Sequence, residues 1–233
     1  MINNKGITLI EICSIIIFMA VIMSFFAQIN INKERYNIQQ LSYNLQKYNT
    51  AIKSFHIKYG DLPGDLRKTQ ILGLSVNNTD GNENNLIDDK NQQNNILDKN
   101  LKADGEIINF WLHLYNSKIL NGNIKVLPYV DFLKTSIIIF SNENKNYYHL
   151  SIKGTDNKKE IQTINNFTPN QAYLIDKKLD DGLPFSGKIL ASGGNKINKK
   201  LLQNVDRKCA VNNEYLTANK ENLCQLIYEL NID

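Results

Sequence analysis

The sequence predicts an α+β fold: a long N-terminal helix, its first half transmembrane and its second half exported, packed on a small, mainly antiparallel β-sheet domain with additional short helices. Three observations predict it. An apolar run broken by one acid extends from Ile7 to Ala27. Apolar or aromatic residues then recur at Leu41, Leu45, Tyr48, Ile52, Phe55 and Tyr59. Two strand-like runs, SIIIF at 136–140 and NYYHLSI at 146–152, are separated by the polar ENK.

The run of 21 residues from Ile7 to Ala27 is about 31 Å long at helical rise, the thickness of a bilayer's hydrocarbon core. Its one acid, Glu11, costs about 2.5 to 3.5 kcal/mol at a bilayer centre and less towards the ends. A partner for the carboxylate is expected; the competing reading has Glu11 snorkel to the headgroups. Beyond the membrane, the spacing of 4, 3, 4, 3 and 4 residues from Leu41 to Tyr59 occupies one face of a helix only, so the helix continues. Gly60 and Pro63 supply its stop. A self-standing coiled coil competes, but the stripe is short and the chain's own globular part can cover it.

Residues 77–100 are dominated by Asn, Asp, Gln and Gly and predict a long loop. In EIINFWLHLYNSKIL, Ile107, Phe110, Trp111 and Leu114 share a helical face, which predicts a second, shorter helix. SIIIF and NYYHLSI read as a hairpin. In TPNQAYLIDKKLDDG, Thr168 is an N-cap, Pro169 the first helical residue and Gln171 the partner in a capping box, while Asp180, Asp181 and Gly182 end that third helix. GKILAS and CQLIYEL are further strands.

A net charge of +4, from 27 basic and 23 acidic residues, is mild, and Lys pairs are scattered rather than striped. Nucleic-acid binding is not indicated. The apolar run is too long for a secretory signal core and no small-residue cleavage site follows it, so it stays as an anchor. Lys5 before the run and Lys33 and Arg35 after it leave orientation ambiguous by charge. Cys209 and Cys224 enclose 14 residues, a loop that a disulfide closes in an oxidising compartment, which favours an exported C-terminal domain; two reduced, buried thiols are the alternative. Cys13 is a small apolar residue of the membrane run.

His56, His113 and His149 show no metal-ligand spacing, and neither a G-x-S-x-G elbow nor a Gly-rich phosphate loop is present, so an enzyme is not expected. The one ligand-like run is DGNENNLIDD. There Asp80, Asn82, Asn84 and Asp88, with the Leu86 carbonyl, alternate as oxygen donors of the kind calcium takes. The match to an EF-hand loop is partial, because a late Glu is missing and Asn85 stands where Gly would make the turn. The alternative is a solvated polar loop.

Lys5-Gly6-Ile7-Thr8-Leu9-Ile10-Glu11 before the apolar run closely resembles the N-terminal signature of type IV pilins and type II secretion pseudopilins. The resemblance implies that a prepilin peptidase cuts after Gly6, that the new terminus at Ile7 is methylated, and that Glu11 pairs with a terminal amine as subunits join a filament. Ile7 stands where that family usually has Phe. The implied organisation is a leader at 1–6, a transmembrane helix at 7–29, its exported continuation at 30–59 and a globular α+β domain at 60–233.

KYGDLPGDL, DGNENNLI, FWLHL and IDKKLDDGLPFSGKI, with the late cysteine pair, resemble in their order a group of large prepilin-like proteins of Gram-negative bacteria. That group usually carries Gly where Glu83 and Asn85 stand here. Together the resemblances imply a structural subunit in the bacterial inner membrane, single-pass, with its C-terminal domain in the periplasm or in an extracellular filament. The implied partners are the peptidase and other pilin or pseudopilin subunits. The alternative is a monomeric, membrane-anchored receptor or binding module that is never cut.

Overall fold

The computed structural model describes residues 8–73, 80–88, 101–102, 105–122, 129–130, 135–142, 144–154, 160–193 and 208–231. The fold is α+β. Helix α1 runs without a break from Leu9 to Tyr59, 51 residues. It ends where the sequence places its stop: Gly60 adopts φ +87° and donates its N–H to the His56 carbonyl at 2.8 Å. The chain forms two compact units, one ending at Gln40 and one spanning Leu41–Asp233. The last turns of α1, from Leu41, thus belong to the globular unit.

In that unit Leu41, Leu45, Ile52 and Phe55 of the predicted stripe are each at 0 % exposure, while its Tyr48 and Tyr59 are half-buried. Helix α2, Glu106–Asn116, buries Ile107, Phe110, Trp111 and Leu114 as its periodicity predicts. It meets α1 through an edge-to-face contact of Trp111 with Tyr48 at 5.0 Å and a stack of His113 on Phe55 at 6.2 Å. Helix α3, Pro169–Leu179, starts with the complete capping box of Thr168 and Gln171.

The main sheet is antiparallel throughout. The predicted hairpin forms its centre as β3, Thr135–Asn142, and β4, Lys145–Gly154. The far edge of β4 is shared: Tyr147–His149 pair with β9, Gln225–Glu229, and Ile152–Gly154 with β5, Glu160–Thr163. Strand β6, Ile189–Ser192, continues the sheet beyond β9. Two-residue strands β1, Leu101–Lys102, and β2, Tyr129–Val130, border β5 and β3. A separate hairpin joins β7, Ala210–Val211, to β8, Glu214–Tyr215.

Tyr148 of β4 donates its hydroxyl to Asn49 of α1 at 2.6 Å and stacks on Tyr228 of β9. Tyr147 and His149, on the opposite face, contact the Phe140 ring. Both faces are therefore buried at the sheet centre, which is why SIIIF reads as a continuous apolar run rather than an alternating one. Burial without a charged partner drives the His149 imidazole down to about 3, so it is neutral in the fold.

Phe55 and Ile57 lie two residues apart on α1 but at 0 % and 85 % exposure. Phe55→Ala should cost about 3 to 5 kcal/mol, and Ile57→Ala less than about 0.5 kcal/mol. Denaturant unfolding of the detergent-solubilised chain measures both. Equal costs would misplace the core face of α1.

Candidate functional site

Two places hold the residues singled out by sequence. The first is the start of α1, within the N-terminal unit. The helix is long and apolar enough to cross a membrane, and none of that apolar window is buried. Lys5, Gly6 and Ile7 lie outside the described residues. Glu11 does not stand free: its Oε2 accepts the Thr8 N–H at 2.8 Å and the Thr8 hydroxyl at 2.9 Å, and its own N–H donates to Thr8 Oγ1 at 3.4 Å. Thr8 and Glu11 form a capping box, a role not read from the sequence although the T-x-x-E spacing carries the signal. The Cys13 thiol is free and exposed.

The second place is the Asn/Asp loop. Residues 80–88 are irregular, as expected, but ordered by two acids from elsewhere in the chain. Asp65 accepts the N–H groups of Asn82 and Asn84 on Oδ1, at 3.2 Å each, and of Asn85 on Oδ2 at 2.6 Å. Its carbonyl takes the Glu83 N–H. Glu106, the first residue of α2, accepts the N–H groups of Asn82 and Asp88 at 3.0 and 2.9 Å. To curl these amides inwards the loop places Glu83 and Asn85 at φ +62° and +64°. These are the positions where glycine was expected to serve best. Gly81 passes so close to Asp65 that a Cβ would lie 2.2 Å from its backbone carbonyl carbon.

The side chains expected to bind calcium have protein partners here. Asp80 Oδ1 faces the Thr69 N–H and hydroxyl. Asn82 and Asn84 each accept the N–H two residues on. Asp88 faces the Ser141 hydroxyl and the Asn84 amide. Asp65 and Glu106, which sequence reasoning did not assign to the loop, add two buried carboxylates to it. No basic side chain among the described residues forms a salt bridge with Asp65, Asp88 or Glu106. Burial, reinforced by the neighbouring charge of Asp65 and opposed by the donated N–H groups, pushes the Glu106 carboxyl up to about 7. Burial likewise raises that of Asp65.

The C-terminal cysteines are joined: Cys209 and Cys224 form a disulfide, both fully buried. Within the loop they close, Tyr215 donates its hydroxyl to Asp176 of α3 at 2.7 Å. Among the described residues the one group of three acids with oxygens within 4.8 Å of one another is Asp176, Asp180 and Asp181. Each accepts local donors: Gly182 N–H on Asp176, Ile189 N–H on Asp180, and Leu183 N–H with the Ser186 hydroxyl on Asp181. The LDDGLPFSGKI segment is thereby tied into a turn.

No family model, curated protein or solved structure matches this chain.

Calcium at the Asp80–Asp88 loop is tested by thermal unfolding with calcium and with chelator. An affinity of about 10⁻⁴ to 10⁻³ M is expected for neutral Asn donors. A tenfold excess over that constant should then add about 1.4 kcal/mol. No shift at millimolar calcium, or an equal shift in Asp80→Ala, would leave the loop held by Asp65 and Glu106 without an ion. Cys209 and Cys224 should resist alkylation until reduced, and their joint replacement by Ser should cost about 3 kcal/mol. Labelling of both thiols without reductant would contradict the bridge.

Proposed function

We propose that this chain is a prepilin-like subunit, cut by a prepilin peptidase and assembled through its N-terminal helix into a type IV pilus or a type II secretion pseudopilus. The observation that carries the reading is the division of labour along α1. Its apolar start is unburied and holds one carboxylate, Glu11, while its later turns supply the core of the globular unit. An apolar surface of that length needs lipid or other helices around it. The same surface serves both environments, the bilayer before assembly and a helix bundle after it.

Glu11 gives the bundle its register. Cutting after Gly6 creates an ammonium at Ile7, and a carboxylate four residues on neutralises such a cation inside an apolar bundle, where an unpaired charge is costly. Peptidase and motor partners supply the chemistry; the chain contributes a polymerising helix and an exported surface. The Cys209–Cys224 disulfide supports placing that surface in an oxidising compartment.

The mature chain should begin at Ile7 with one N-methyl group, read by intact mass of protein purified from its own membranes. Glu11→Val should insert at least as well as the original, since it removes an acid from the apolar run, yet be at least tenfold depleted from sheared filaments. Recovery of the Met1 terminus alone from cells with an active peptidase would favour an uncut, membrane-anchored receptor. Normal co-assembly of the Glu11→Val chain would remove the pairing role.

A further inference from the structure

We propose that a groove between α1 and the turn after α2 is a docking site for an extended peptide segment carrying one carboxylate and one apolar side chain. One wall is a stripe of α1 from Tyr43 to Ser54, the other is Ile119 and Leu120, and the space between them is about 430 Å³, all within the globular unit. From Tyr43 to Ser54 the helix advances about 17 Å. The mean cross-section of the groove is then about 26 Å², about a third of what a helix of 10 Å diameter fills. An extended chain, spaced about 5 Å from its neighbours, fits where a helix does not.

The chemistry of the walls selects the occupant. The Thr50 and Ser54 hydroxyls donate along the helix, to the Gln46 and Thr50 carbonyls at 3.0 and 2.9 Å, so what they have left to offer is lone pairs. Lone pairs suit the unpaired N–H groups of an extended backbone. Lys47 is exposed and forms no salt bridge among the described residues. Its own two elements supply no counter-charge: residues 41–59 hold Lys47, Lys53 and Lys58 and no acid, and residues 107–122 hold Lys118 and no acid. The charge that complements this face is therefore negative and comes from the occupant. One turn beyond Lys47 the groove has an apolar floor, where Ala51 and Leu120 are buried. That turn is about 6 Å, the spacing of residues i and i+2 in an extended chain, whose side chains share a face. The acid and the apolar side chain of the occupant are thus two residues apart.

The test uses the full-length, detergent-solubilised chain, with the methyl groups of Ile119 and Leu120 followed by NMR. The probes are acetylated, amidated pentapeptides, Gly-Asp-Gly-X-Gly and Gly-X-Gly-Asp-Gly with X as Leu, Ile, Phe or Tyr, their Asn counterparts, and a thymidine hexanucleotide. At least one acidic peptide should shift both residues' methyl groups saturably, with a Kd of about 1 mM or below. Lys47→Gln should weaken that peptide about fivefold, exchange of its Asp for Asn should weaken it by the same factor, and the two together should cost no more than either alone. Thr50→Trp, which puts a large ring at an exposed position of the groove wall, should abolish the shift with the unfolding midpoint unchanged. No saturable shift with any peptide up to about 10 mM would overturn the assignment, as would equal affinity for the Asp and Asn peptides. Binding that survives both Lys47→Gln and Thr50→Trp would place the peptide elsewhere and overturn it too. Tighter binding of the hexanucleotide than of any peptide would give Lys47 to phosphate, and methyl shifts that follow protein concentration without peptide would give the groove to a second copy; either result overturns it.

Discussion

The domain hangs on one helix face. Leu41, Leu45, Ile52 and Phe55 are fully buried, and each contributes about 1.5 to 3 kcal/mol by leaving water. The sheet reaches that helix through Tyr148 and Asn49, and α2 reaches it through Trp111 and His113. Because the stripe advances by alternating threes and fours, a break anywhere between Leu41 and Phe55 would rotate its later members away from both partners. The helix can stop only after the stripe is complete. Gly60 and Pro63 stand directly beyond Tyr59, where the stripe ends.

What the helix does for apolar groups, two carboxylates do for the polar loop. Residues 80–88 bury few apolar side chains, Ile87 being the main one, so hydrophobic burial alone does not order them. Their amides instead converge on Asp65, just past the end of α1, and on Glu106, at the start of α2. A bond to an ionised carboxylate contributes more than one to a neutral acceptor, a gain that Glu106, its carboxyl pushed up to about 7, gives only above that pH. The loop is thus pinned between the same two helices that form the core, and its shape depends on their spacing.

Much of this was legible in the sequence because it is periodic or local. The α1 stripe, the apolar face of α2, the Thr168–Gln171 box and the central hairpin each declare themselves within a few residues. Strands β1, β2, β7 and β8 are two residues long, too short for any alternation to register. Strand β5 carries the unmarked EIQT. The loop was read correctly as irregular but not as anchored, because Asp65 precedes Asn82 by 17 residues and Glu106 follows it by 24. Pairings over such distances leave no local trace. Glu83 and Asn85 were legible only as departures from glycine; their positive φ shows that the turn geometry persists without it.

Thr8 and Glu11 repeat a device found elsewhere among the described residues. Six acids accept orphan N–H groups: Asp65 and Glu106 in the polar loop, Asp176, Asp180 and Asp181 in the turn after α3, and Glu11 at the start of α1. The one salt bridge among the described residues, Lys145 with Glu229, lies on the surface, where such pairs contribute little. A chain of loops and helix ends generates many unpartnered amides, and a carboxylate satisfies two or three of them at once. In the globular unit that use consumes both oxygens of Asp65 and of Glu106. At Glu11 it consumes one. Asp180 likewise takes the Ile189 N–H on Oδ2, so one engaged oxygen is enough to satisfy the amides at a helix start or in a turn.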